Sequence, residues 1–254
     1  MESEMSQEID VSVVLACYNA AFYVEESIRQ IQNVLDATIY KYELIIVDDR
    51  SADNSVEIIK KLIAGNLNFF LYEHETNRGR GATVSEGLKT ARGKIIGFID
   101  LDLDNPARYI FSMILGIQNE NADVTTARRV YFWKFNPYLF IRMLASKAYS
   151  AIAGAWFETG LKDTETGCKF FRREKILPLL EETKNDRWFW VTEIMVRAYY
   201  AGLKIVEIPT LFIRDTQYST VQLIPDSLRY LYNLWRFWPI KRQLKAQFDT
   251  KKRL

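Results

Sequence analysis

Three acids at alternating positions, Asp100, Asp102 and Asp104, close the apolar run Ile95-Ile96-Gly97-Phe98-Ile99. Carboxylates set this close together have few uses besides holding a cation, and oxygen-only ligands suit a hard ion such as Mg2+ or Mn2+. Mg2+ takes one or two protein carboxylates and completes its shell with water and substrate phosphates, so these acids read as half a site awaiting a diphosphate. Asn105-Pro106 reads as a helix N-cap with proline at the first helical position. That places the acids at a strand-to-helix junction, where ligands commonly bind in open α/β sheets. A solvated acidic loop is the plainer reading of the same residues.

The elements that must position these acids are legible around them. Four apolar, β-branched runs, Val11–Leu15, Leu44–Val47, Phe69–Tyr72 and Ile95–Ile99, alternate with segments near 22–37, 53–64 and 81–91 whose apolar residues recur every three to four positions. Continuous rather than alternating apolar strands predict a parallel sheet covered on both faces, and the alternation predicts a doubly wound, Rossmann-like α/β fold. The first loop, Cys17-Tyr18-Asn19-Ala20-Ala21, has neither a G-x-G-x-x-G run nor a Walker lysine, which argues against a dinucleotide enzyme or a P-loop NTPase. Beyond the acids comes an aromatic stretch, Tyr131 to Phe140, then helical spacing through Arg142, Ser146 and Trp156. A helix near 190–201 leads through Gly202 to a strand at 204–208, which Pro209 either ends or confines to a sheet edge.

Composition bounds the function. At 254 residues and 48% hydrophobic the chain can bury a full core, and a net charge of +2 gives no general pull toward nucleic acid. Cys17 and Cys168 are too scattered to suggest a disulfide and read as inert thiols in a reducing compartment. The acidic start Met1-Glu2-Ser3-Glu4 lacks the features of a signal peptide, and the longest uncharged run, Val11 to Val24, falls short of the ~18 residues a membrane span needs. The expected location is cytoplasmic, with any membrane contact peripheral. The last segment supports such contact: Tyr230, Leu231, Tyr232, Leu234, Trp235, Phe237 and Trp238 precede a basic tail with Lys241, Arg242 and Lys245. The same apolar face could instead dock on the protein itself or on a second subunit. His74, the only histidine, has no motif around it and reads as a surface residue.

Six separated motifs together resemble a family-two, GT-A-type glycosyltransferase, most like the polyprenyl-phosphate sugar transferases. They are Val13 to Asn19, Ile46 to Ser51, Asn77 to Gly81, Asp100 to Asp102, Asp163 to Lys169 and Gly202 to Pro209. The resemblance implies a GT-A domain over 1–215 with amphipathic C-terminal helices over 216–254. It implies a nucleotide site of Ala16, Tyr18, Asn19, Asp48, Asp49, Gly79, Arg80, Asp100 and Leu101. A Mg2+ or Mn2+ ion would be held by Asp100 and Asp102, with Asp104 where relatives more often carry glutamine; Asp104 either adds to the shell or stays outside it as a helix N-terminal charge. Arg128, Arg142, Ser146 and Arg214 fall at the positions of the family's phosphate-contacting residues. Gln217 and Ser219-Thr220 depart from the family's glycine and Ser-Lys pair, which puts the usual clamp on the phosphates in doubt.

The implied reaction is an inverting displacement from a UDP- or GDP-linked sugar onto polyprenyl phosphate. A lipid phosphate is largely ionised at neutral pH, its second pKa being about 6, and needs little help from a base. A saccharide or other hydroxyl acceptor would need one, with Asp163 or Glu193 as candidates, although both residues suit bracing roles as well. A catalytically silent subunit of a membrane glycan complex is the reading from another class, and self-association stays open.

Overall fold

The computed structural model describes residues 8–131, 137–213 and 223–253, and side chains for 8–131, 143–144, 146–213 and 229–250. Seven strands form one sheet in the order β3-β2-β1-β4-β6-β5-β7. In chain order they are β1 (Val11–Cys17), β2 (Tyr42–Asp48), β3 (Phe69–Glu73), β4 (Ile95–Ile99), β5 (Val124–Tyr131), β6 (Cys168–Arg172) and β7 (Ile205–Phe212). The helices are α1 (Val24–Asp36), α2 (Ser55–Ile63), α3 (Arg80–Thr90), α4 (Tyr109–Asn119), α5 (Pro137–Phe157), α6 (Arg173–Glu182), α7 (Trp190–Tyr200) and α8 (Leu223–Arg253). The expected mostly parallel α/β sheet with helices on both faces is the one observed.

Of the four strands read from sequence as buried on both faces, β1, β2 and β4 are so, whereas β3 lies at the sheet edge and leaves Tyr72 and Glu73 exposed. Val11, Val13, Val14 and Leu15 of β1 and Leu44, Ile46 and Val47 of β2 are fully covered. Odd-numbered β1 side chains pack toward α1, α2 and α4, while Val14, Ile45 and Val47 face α3, α6 and α7. Burying each such side chain contributes roughly 1.5–3 kcal/mol, so two full layers easily outweigh any local propensity. β3, β2, β1 and β4 are parallel, and β6 runs antiparallel to both β4 and β5. β7 is parallel to β5 at the sheet edge, where Pro209, which has no N–H to donate, continues the strand rather than ending it.

This topology gathers one rim. The carboxyl ends of β1, β2, β4, β5 and β7 and the amino end of β6 all open on the same side, because Ile99 pairs with Cys168 and Arg128 with Pro209. The order of strands reverses between β1 and β4, which makes the crevice there a natural ligand position. Three non-glycine residues with positive φ, Asn19 (50°), Arg50 (67°) and Leu103 (49°), follow β1, β2 and β4 along that rim. Such backbone costs on the order of 1–3 kcal/mol each and collects where function over-determines the structure.

One sequence expectation fails here. Asn105 does not cap a helix: Pro106 and Ala107 accept hydrogen bonds from Tyr109 N and Ile110 N in a tighter turn, and α4 begins at Tyr109. Asn105 is buried instead and accepts a hydrogen bond from the Thr210 hydroxyl at 3.1 Å, a partner 105 residues away that the local pattern could not reveal.

The final helix packs on the body through its own cluster. Leu234 and Phe237 are buried against Phe157 of α5 and Phe189 beside α7. Glu158 at the end of α5 accepts hydrogen bonds from Lys241 and Lys245, and those two ammonium groups hold its carboxyl down at about 2. No helix among the described residues is long and apolar enough to cross a membrane.

Candidate active site

The loops after β1 and β2 clasp each other. Asn19 Oδ1 accepts from Ala52 N at 2.8 Å and Asn19 N donates to Ser51 Oγ at 2.9 Å. Asp48 is buried and binds Ser51 through both its backbone N–H (2.9 Å) and its hydroxyl. Tyr18 is half exposed at the tip of this clasp, and Ala16 lies beneath it, partly buried. Cys17 sits under the same loop, where burial and then the Asp48 charge push its thiol up to about 12. Both cysteines are free and buried, as the sequence implied.

Asp49, implied as a nucleotide contact, is held within the protein by three partners. Its Oδ1 receives His74 Nδ1 at 2.8 Å and Arg78 N at 2.7 Å, and its Oδ2 receives Gly79 N at 2.8 Å. The carboxylate thereby shapes the turn 74–79. Gly79 is required there by its φ of 92°, and the next residue, Arg80, opens α3 with its side chain turned toward β4. His74 is thus not a surface residue. It is 8% exposed, with its second nitrogen 3.3 Å from Glu86, and only a tertiary partner explains why a lone histidine sits there.

The acids form the floor of the rim. Asp100 N donates to Gly167 O at 2.8 Å, which ties the end of β4 to the start of β6. Asp100 Oδ1 accepts Arg80 Nε at 2.9 Å and Arg80 Nη2 as well. The guanidinium lies 5.0 Å from the Trp188 ring centroid and 5.5 Å from that of Phe98. Asp102 is exposed in the following turn, and Leu101 between the two acids is buried, its carbonyl accepting the Ser27 hydroxyl. Burial, followed by the charges of Asp102, Cys17 and Asp100, pushes the Tyr23 phenol up to about 12, which marks Tyr23 as a neighbour of the acids that no motif announced.

The three acids do not converge as one ligand set. Among the described residues no three His, Cys, Asp or Glu side chains are grouped to hold a metal ion. The left-handed turn at Leu103 separates Asp104 from Asp100, and the Asp104 carbonyl instead anchors Ile213 N at 2.9 Å after β7. What remains fits an ion that takes one or two carboxylates and draws the rest of its shell from water and phosphate: hard oxygen donors at an open strand end, one of them already paired with a cation.

Asp163 and Glu193 are both engaged. Asp163, 5% exposed, accepts Arg129 Nε and Nη2 at 2.7 Å each, one on each oxygen. Burial opposes the Arg129 charge, but Asp163 outweighs it and raises that guanidinium above its ordinary value. Glu193 is buried under the loop joining α6 and α7, accepting Arg197 Nε at 2.9 Å and the amides of Lys184 and Asn185. Both carboxylates act as braces in this structure.

Beside β5 lies a cavity of about 450 Å³ between that strand, α5 and residues 160–163. Arg128, Lys147 and Lys162 bring charge to its lining, and Ser150, Ala151 and Gly154 of α5 give a wall of small side chains. Arg128 Nε is buried with no hydrogen-bond partner among the described residues. Ser146 accepts or shares a hydrogen bond with the Tyr131 hydroxyl at 3.2 Å, next to this cavity. The Arg142 side chain and the whole of Arg214, Gln217 and Ser219-Thr220 lie outside the described residues.

The carboxyl rim thus joins a paired acid, a clasped loop and a cationic cavity, and comparison with known proteins decides the family. The sequence profile of glycosyl transferase family 2 matches residues 12–178, well over half the chain. The chain belongs to that family. Among relatives, it is 28% identical to glycosyltransferase AglD of Haloferax volcanii over 91% of this chain and 37% of that protein. It is 24% identical to dolichyl-phosphate beta-glucosyltransferase ALG5D of Trichomonas vaginalis over 79% of this chain and 65% of the other. The chain therefore spans from about a third to just under two thirds of these relatives' lengths. Among solved structures, S. aureus TarS 1–349 with UDP-GlcNAc superposes with a TM-score of 0.60 at 17% identity, over 94% of this chain and 71% of that one. Glucosyl-3-phosphoglycerate synthase from Mycobacterium tuberculosis, in complex with Mn2+, UDP and glucosyl-3-phosphoglycerate, gives 0.62 at 17% identity over 95% and 80%. At these identities the family 2 member shares the GT-A fold with them.

Proposed function

We propose that this family 2 protein transfers a sugar, with inversion, from a nucleoside-diphosphate donor to polyprenyl phosphate, using a divalent ion at Asp100 and Asp102. The observation that carries the reading is the pairing, on one rim, of the acid end of β4 with the cationic, apolar-walled cavity at the end of β5. A phosphate headed by a hydrocarbon chain fits that lining, with Arg128, Lys147 and Lys162 for the charge and the small residues of α5 for the chain. The relatives' names, which include a dolichyl-phosphate glucosyltransferase, support the acceptor, and structures holding UDP with Mn2+ support the donor and the ion.

Each residue has a task in this account. Asp49 shapes the turn that carries Arg80; Tyr18 and Asn19 border the place where the base and ribose rest; Arg128 meets the acceptor phosphate. When bound, the ion supplies neutralising charge at the leaving diphosphate. The attacking lipid phosphate is already ionised, so no general base is required, and the full engagement of Asp163 by Arg129 and of Glu193 by Arg197 accords with that.

One observation favours a hydroxyl acceptor as the second reading. Glu165 stands 3.8 Å from Arg129, whose partner Asp163 lines the cavity, and burial raises its carboxyl to about 7, so it would be the base such an acceptor needs. Supplying radiolabelled UDP-glucose and GDP-mannose with Mn2+ and polyprenyl phosphate separates the two. The proposal expects label to pass into the organic phase; label that stays aqueous and joins an added saccharide instead would replace the lipid by a hydroxyl acceptor.

The surface of α5 and α8 supports residence at a lipid face. Leu144, Ile152 and Trp156 recur at four- and eight-residue spacing on α5, and Leu231, Trp235 and Trp238 form the matching stripe on α8, all of them exposed. The stripes meet where the Trp156 and Trp238 rings lie 4.8 Å apart, and exposed Arg236 and Arg242 stand beside them. Aromatic stripes flanked by arginine suit the headgroup layer of an anionic bilayer.

A further inference from the structure

The Arg80–Asp100 pair has an unusual form. An arginine facing a carboxylate ordinarily sets two N–H groups on two oxygens, yet Arg80 puts both Nε and Nη2 on the single oxygen Oδ1. The other oxygen is pressed against Gly167, where a side chain's first carbon would lie 1.7 Å from Oδ2. Arg80 Nη1 is buried and has no hydrogen-bond partner among the described residues. The side chain is 13% exposed, stacked against Trp188 and Phe98. Its base cannot swing away freely: Asp49 grips the amides of Arg78 and Gly79, Ala82 N donates to Asp186 O at 3.1 Å, and Arg187 Nη1 donates to Asn77 Oδ1 at 3.3 Å.

We infer that Arg80 gates the ion site: in the free protein it holds Asp100 Oδ1, and it exchanges that oxygen for the donor's diphosphate when a divalent ion takes Asp100. This rests on the proposed reading of Asp100 and Asp102 as ion ligands. An ion arriving alone must strip Arg80 of its partner and leave a buried guanidinium unpaired, which is costly. An ion arriving with a diphosphate leaves no such debt, because the phosphate oxygens re-pair Nε and Nη2 and give Nη1 its missing acceptor. Ion and nucleotide therefore bind cooperatively, and each must raise the other's affinity by the same factor.

The test is direct Mn2+ binding to the full chain, read from the electron paramagnetic resonance of free Mn2+, with and without UDP or GDP. Wild type is expected to bind Mn2+ weakly alone and about tenfold or more tightly with the matching nucleotide, a coupling of ordinary size. Arg80→Gln should bind Mn2+ alone more tightly than wild type and lose most of the coupling; Arg80→Lys, which keeps the charge on a single donor group, should fall between. A melting curve shows whether Arg80→Gln folds, and if it does not, Arg80→Lys decides. Unchanged or weaker Mn2+ binding in the variants, with coupling intact, overturns the gate while leaving the ion site standing. A wild type that binds no Mn2+ under any condition, like the Asp102→Asn reference, removes the ion site itself and the gate with it.

Discussion

Asp100 is held on both flanks, by Arg80 on one oxygen and by the bare backbone of Gly167 on the other. Glycine is the residue that permits this approach, so Gly167→Ala is expected to push the carboxylate aside while the strands on either side keep their register. A displacement of about 1 Å at a reacting centre costs on the order of a hundredfold in turnover. Single-turnover kinetics beside a melting curve check this, and full activity in a folded Gly167→Ala protein would contradict the placement of Asp100. At this scale the sequence revealed the acids but not their partners. Asp100 and Asp102 were legible because acids at the end of an apolar strand have few uses. The roles of Asp49, His74, Asp163 and Glu193 depend on contacts with residues distant in sequence, such as the 25 positions separating Asp49 from His74, and no local spacing encodes those.

Among elements, the segment 163–167 before β6 does most to join the site to the last helix. Glu165 lies 3.8 Å from Arg129 and is hydrogen bonded to Tyr230 of α8. Burial raises its carboxyl to about 7, so the folded protein holds this proton more tightly than the unfolded chain, where glutamate titrates near 4.5. Its stabilising contribution is present below about pH 4.5 and is lost as pH climbs to about 7. Glu165→Gln removes that loss. Chemical denaturation between pH 5 and 8 should show the variant gaining on wild type by about 2–3 kcal/mol as pH rises; a difference independent of pH would mean that Glu165 ionises normally. The elements themselves were largely readable. β1 to β4 and α1 to α3 appear where periodicity placed them, because continuous apolar strands and three-to-four spacing report burial directly. The start of α4 was not, since Asn105 obeys a tertiary contact with Thr210 instead of the local capping rule and Pro106 enters a tight turn ahead of the helix.

For the whole molecule, the parallel α/β sheet was written in the alternation of strand and helix, whereas the antiparallel β6 that brings 163–167 to the rim was not, because pairing direction has no local signature. The fate of the last helix was undecided in sequence for a similar reason: one face of α8 docks through Leu234 and Phe237, and another leaves Trp235 68% exposed and Tyr232 54% exposed. If that outer face meets a bilayer, the protein should sediment with vesicles containing phosphatidylglycerol, and Tyr232→Ala/Trp235→Ala should lose most of that binding while its stability stays within about 0.5 kcal/mol of wild type. Equal sedimentation of both proteins would assign the face to something else. The central claim is narrower than any of these: a divalent ion at Asp100 and Asp102 receives the donor's diphosphate. Calorimetric titration of UDP and of GDP, with Mn2+ and with the ion chelated, tests it in wild type and in Asp102→Asn. The account predicts that one nucleotide binds wild type strongly only with Mn2+ and that this dependence vanishes in Asp102→Asn; ion-dependent binding equal in the two proteins would contradict it.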